Sequence, residues 1–153
     1  MLHDIGKVGI SDAILLKPGK LTADEWAVMR THAKLGSDAI EMAEQDIEMS
    51  LPFLSAAKEI AHWHHEKWDG SGYPDGLVGD AIPISARLMA MADVFDALIS
   101  VRVYKSAMSP DEARQIIFAG RGKHFDPDVT DAFLEGFDDF VAIAAQYSDA
   151  EVE

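Results

Sequence analysis

The chain has no cysteine among its 153 residues. Disulfides, thiolate zinc sites and cysteine nucleophiles are therefore excluded, and any metal must be held by nitrogen and oxygen, which favours iron, manganese or a similar ion over structural zinc. Basic residues are scarce, with 13 Lys and Arg against 27 Asp and Glu, a formal net charge of −14. That field opposes non-specific attraction to a phosphate backbone and argues against a partner that is a nucleic acid polymer. The deficit deepens toward the end, where residues 126–153 hold nine acidic side chains and no basic one. A small anionic ligand is expected nearer the front, helped by metal charge. No run of about 18 apolar residues exists to span a bilayer, and the start lacks the basic-then-apolar pattern of a secretory signal. The expectation is a cytoplasmic protein with no membrane segment.

What is present is 48% apolar residues, enough for one domain with a sizeable core. The apolar spacing is helical throughout, without alternation long enough to build a sheet, so the fold class is all-α. Thr22 with Glu25 forms a capping box that opens a helix expected to carry His32. Ser109-Pro110-Asp111-Glu112 opens another, and Asp126-Pro127 repeats the start signal. Residues 68–83, with four glycines and two prolines, form a loop, and long loops in compact domains are usually functional. The last residues, 148–153, form an acidic tail expected to fray.

The chemistry-bearing residues are His3-Asp4, His32, the pair His64-His65 and Asp93. Imidazole and carboxylate hold divalent transition ions, and adjacent ligands let one short segment reach two of them. Helical phase puts Phe53, Ala57, Ile60 and His64 on one inward face, with His65 at its edge and His62 opposite, toward water. Asp93 lies in residues 84–99, where 12 of 16 residues are apolar. A carboxylate buried there needs a cation or water, yet Ser85, Asp93 and Asp96 also share a stripe that suits a solvated helix face. His32 shares a side with Val28 and Met29, which fits a structural histidine as well as a ligand. His124 reads as a loop or capping residue, and the seven methionines as core filling.

Together, His3-Asp4-Ile5-Gly6-Lys7, His64-His65-Glu66 and Asp69-Gly70-Ser71-Gly72-Tyr73-Pro74 resemble the HD-GYP family, a branch of the HD-domain metal phosphohydrolases. Residues 16–22, Gly76-Leu77, Ile82-Pro83, residues 93–98 and Phe125-Asp126-Pro127 extend the likeness from residue 1 to about 135. The resemblance implies a compact helical bundle of HD-domain type over residues 1–147, carrying a long Gly/Pro-rich loop. It implies a bacterial signalling enzyme hydrolysing cyclic di-GMP to the linear dinucleotide or GMP, with two or more divalent ions, iron or manganese.

By position it makes His3, Asp4, His32, His64, His65 and Asp93 metal ligands, with Asp4 bridging two ions. Asp4 and Lys7 are implied at the reaction centre, and Lys7, Gly72, Tyr73 and Pro74 on the substrate side, while Arg102 and Lys105 are candidates for phosphate contact by their charge, with ordinary surface cations as the alternative. The Gly-Tyr-Pro loop is further implied to meet diguanylate cyclase (GGDEF) domains; a purely structural loop is the alternative. Two departures stand out. Val101-Arg102-Val103 lacks the acidic residue and the proline usual around this arginine, and the family's helices ahead of the His-Asp pair, which bear another histidine ligand, have no counterpart before Met1. A shortened piece, a misplaced start and a naturally short member all fit, with weak metal binding, little turnover and a mobile N-terminus or homo-oligomer formation through the uncovered face as expected consequences. The competing functions are a catalytically inactive HD-GYP interaction module and another HD-type nucleotide phosphohydrolase.

Overall fold

The computed structural model of the chain describes residues 2–46, 52–100 and 107–148. A 3₁₀ segment, Leu2–Gly9, is followed by α1 (Asp12–Leu15), α2 (Ala23–Arg30), α3 (His32–Asp46) and α4 (Pro52–Trp63). After the glycine-rich loop come α5 (Ile84–Ile99), α6 (Pro110–Ala119), α7 (Pro127–Glu135) and α8 (Phe137–Ser148). Among the described residues the only extended pairings are isolated bridges, Asp69 with Val78 and Arg121 with Phe125, so the fold is all-α.

The helix starts follow from side-chain chemistry. Thr22 accepts from the Glu25 N–H while the Glu25 carboxylate accepts from the Thr22 N–H, satisfying two donors that α2 cannot satisfy itself. Ser109 and Glu112 do the same for α6, with Pro110 in its first turn, and Asp126 accepts from the Asp128 N–H at the start of α7. One expectation changes. The capped helix ends at Arg30, and His32, expected on that helix, opens the next one. At the junction Thr31 turns its hydroxyl back to the Val28 carbonyl at 2.7 Å, the side-chain competition that interrupts helices at threonine.

The chain divides into two compact units, Met1–Arg87 and Leu88–Glu153, with the boundary inside α5. In the first, Ile40 of α3 packs on Ala57 and Ala61 of α4, with Leu54 against them. The buried face of α4 is therefore Ala57, Ala61 and His64; Phe53, expected on that face, is 68% exposed. Leu54, one step round the helix, takes the inward place. The 3₁₀ segment lies on α3 through Gly6, where a Cβ would stand 1.9 Å from the His32 carbonyl oxygen and 2.5 Å from the Gly36 nitrogen. Only glycine permits that approach. The second unit encloses Met91, Phe95, Ala113, Ile117, Phe125, Val129, Phe133 and Phe137. Its phenylalanines meet edge to face, as Phe95–Phe133 do at 5.4 Å, each such pair adding about 0.5–1.5 kcal/mol beyond area burial.

Candidate metal centre

Gly6 seats the 3₁₀ segment on the first turn of α3, so Asp4 is delivered to His32. The end of α4 supplies the other side, because the His64 N–H still bonds the Ile60 carbonyl at 3.1 Å and helical phase turns its ring inward, leaving it 2% exposed. One ligand atom from each of Asp4, His32, His64 and His65 then lies within 4.8 Å of the others. His32 Nε2 is 3.5 Å and His64 Nε2 3.8 Å from Asp4 Oδ1. Four groups from three separate segments make a metal-sized cluster.

Hydrogen bonding at the far side of the rings sets their chemistry. His32 Nδ1 lies 2.7 Å from the Met29 carbonyl and His64 Nδ1 2.8 Å from the Ile60 carbonyl, and a carbonyl can only accept, so the proton sits on Nδ1 in both. Each Nε2 lone pair is thereby directed into the cluster, the arrangement that orients metal-ligating histidines. His32 Nε2, His64 Nε2 and Asp4 Oδ1 are buried and have no hydrogen-bond partner. An orphaned buried polar atom costs about 1–3 kcal/mol, and three facing one another fit a cation between them.

Burial by itself raises the Asp4 carboxyl, but the hydrogen bond and charge of Lys7, with His3 and His64, outweigh it and hold the group below the usual carboxylate range. Desolvation pushes the His64 imidazole down, against the opposing bond to Ile60, which keeps it neutral and able to ligate. Lys7 donates to Asp4 Oδ2, and His3, itself buried, places Nε2 3.6 Å from that same oxygen. The two Asp4 oxygens thus face different histidines.

The glycine-rich loop covers this cluster. Tyr73 stacks on His65 with centroids 4.7 Å apart and planes at 25°, and the Tyr73–Pro74 peptide is cis. Gly72 cannot be another residue, since a Cβ would stand 2.4 Å from the Lys67 nitrogen and 2.6 Å from the His65 oxygen. Two residues to which the sequence assigned no site role hold the loop. Glu66, 2% exposed, accepts from the N–H groups of Asp75, Gly76 and Leu77. His62, expected in water, lies 2.7 Å from Ser37 Oγ and 3.2 Å from Asp75 Oδ2, so it ties α3, α4 and the loop together. The one signal the sequence offered for the first was a glutamate directly after the histidine pair; the second depends on a loop returning from residue 75, which helical phase alone does not see.

Asp93 lies on α5 in the second unit, half-buried. Arg102 and Lys105 lie outside the described residues, as do residues 149–153 of the acidic tail. His124 sits in the turn before α7 and stacks on Phe125 at 4.2 Å, as a loop residue.

A family model described as HD domain matches residues 1–129. A probable cyclic di-GMP phosphodiesterase of Vibrio cholerae serotype O1 is 62% identical over 150 residues, 98% of this chain and 34% of that protein. A cyclic di-GMP phosphodiesterase of Thermotoga maritima is 46% identical over 134 residues, 88% of this chain and 35% of that protein. The chain thus spans about a third of the length of these curated relatives. The crystal structure of a cyclic GMP-AMP specific phosphodiesterase from V. cholerae aligns with a TM-score of 0.59 at 20% identity, over 95% of this chain and 40% of that one, a likeness of fold.

Proposed function

Because the chain belongs to the HD domain family and to its HD-GYP branch, we propose that it is a metal-dependent phosphodiesterase hydrolysing cyclic di-GMP to the linear dinucleotide or GMP. The observation that carries the reading is the convergence of the orphaned Asp4 Oδ1, His32 Nε2 and His64 Nε2 beside His65. Relatives named for this activity, at 46–62% identity, supply the substrate.

In this reading Asp4, His32, His64 and His65 would hold the divalent ions, iron or manganese, with His3 at the second Asp4 oxygen, while Asp93 is carried as a further ligand by the family resemblance alone. Bound there, such ions supply charge neutralisation for the phosphoryl oxygens and a lowered pKa for a water nucleophile. The chain's own part is to present neutral imidazoles, keep Asp4 ionised and place the Lys7 ammonium on the open side of that carboxylate, where it meets a phosphoryl oxygen. The Tyr73 ring excludes water from one face of His65. Arg102 and Lys105 are further phosphate contacts in this reading, and the loop tip is where a GGDEF domain would meet the protein.

The test is metal analysis of the purified chain, loaded anaerobically with iron or manganese, followed by incubation with cyclic di-GMP and separation of products. Slow formation of linear dinucleotide or GMP in the loaded sample, and none after chelation, is the expected result. Asp93→Ala should lower metal content; unchanged content would remove Asp93 from the ligand set. No product from a protein carrying two ions per chain would overturn the activity.

A further inference from the structure

Arg30 closes α2 and is exposed, and it makes no ion pair among the described residues of a chain with 27 acidic side chains. The guanidiniums of Arg87 and Arg121, by contrast, are each spent on an aspartate, Asp80 and Asp131. Arg30 is held by rings instead. Its Cζ lies 5.2 Å from the Tyr73 centroid and 5.9 Å from that of Trp26, one turn back on the same helix. Tyr73 in turn stacks on His65 of the metal cluster. A ladder therefore runs inward from Trp26, 47% exposed, through Arg30 and Tyr73 to His65.

A guanidinium held on aromatic faces keeps its N–H fork unspent, and a large aromatic left in water beside it is a stacking surface. Both features suit a nucleobase. The fork matches the paired O6 and N7 acceptors of guanine, whereas adenine offers a donor at the corresponding edge and repels it. Position favours the base over the phosphate: Arg30 contacts the Tyr73 ring, which is itself stacked on His65, so the guanidinium meets the residue that packs on the metal cluster rather than a ligand of it.

We infer that Arg30, steadied by Tyr73 and flanked by Trp26, reads a guanine base of the substrate and sets the site's preference for guanine over adenine. The inference rests on the phosphodiesterase reading for the identity of its ligand.

The experiment compares wild type with Arg30→Ala and Arg30→Lys, all metal-loaded, on cyclic di-GMP and cyclic di-AMP. KM for cyclic di-GMP should rise about 10- to 100-fold in Arg30→Ala, with a much smaller change for cyclic di-AMP, so that the selectivity ratio collapses. Arg30→Lys keeps the charge but loses the planar fork and should recover little of the ratio. Equal losses on both substrates, or full recovery with lysine, would overturn base reading and make Arg30 a phosphate or structural residue. Calorimetric titration with GMP and AMP separates this inference from the activity itself. Should wild type turn over neither dinucleotide, a GMP preference lost in Arg30→Ala still upholds base reading, and equal affinity of wild type for GMP and AMP refutes it.

Discussion

His62 and His64 are two residues apart, yet their burdens differ in kind. His64 offers a buried lone pair to the cluster, while His62 spends both ring nitrogens on Ser37 and Asp75. His62→Ala should therefore keep bound metal while lowering stability by about 1–2 kcal/mol, and His64→Ala should lose metal. Metal analysis beside thermal unfolding of both variants checks this, and metal loss from the first would place His62 in the ligand set. Glu66 carries more, because one carboxylate serves three backbone donors. Glu66→Ala strands those donors and should cost about 2–4 kcal/mol, with Tyr73 released from His65 and turnover reduced beyond the stability loss. Product formation well below the thermal midpoint, compared with wild type, reads that second effect. The ligand types were legible in the sequence since histidine and aspartate advertise their chemistry. Glu66 was not, because its role lies in the backbone geometry of residues 75–77.

At the scale of elements, the caps were the most legible features. Thr22–Glu25 and Ser109–Glu112 are local, four-residue devices, the first with Lys17 added on the Glu25 carboxylate. Thr22→Ala and Ser109→Ala should each cost about 1 kcal/mol, measurable by denaturant unfolding, and additively because the two sites lie in different units. The end of the first capped helix was less legible. Nothing in periodicity marks Thr31 as a junction, and the hydroxyl bond to Val28 that accompanies it is one of several rotamers open to threonine. The phase of α4 was read correctly for Ala57 and His64 and wrongly for Phe53. A first-turn position is where a few tens of degrees of phase decide between core and solvent.

For the molecule as a whole, metal and protons act on the same folding equilibrium. A ligand that binds only the folded form stabilises it, by about 2.7 kcal/mol at 100 times its dissociation constant. Removal of metal by a chelator should lower the thermal midpoint by roughly 5–10 °C, restored by manganese or iron. Acid should act in the same direction through other groups. Lys17 holds Glu25 low, the Ser71 hydroxyl Asp69, the Ser109 N–H Glu112 and the Arg121 guanidinium Asp131. A folded carboxyl depressed below its unfolded value adds stability above the ordinary range near pH 4, and that stability is lost as pH falls through the folded value. Chelated protein, from which the metal contribution has been removed, should thus lose stability below about pH 4.5; a flat profile from pH 5 to 3 would deny these pairs any net effect.

Asp4, His32, His64 and His65 all lie within the first compact unit, Met1–Arg87. Chain order then becomes a timetable for assembly. During synthesis at about 5–20 residues per second, the four groups leave the ribosome seconds before the second unit is complete. An ion that these four groups take up as the first unit folds would thus be captured before translation ends, so metal supply would act on the nascent chain as well as on the finished one.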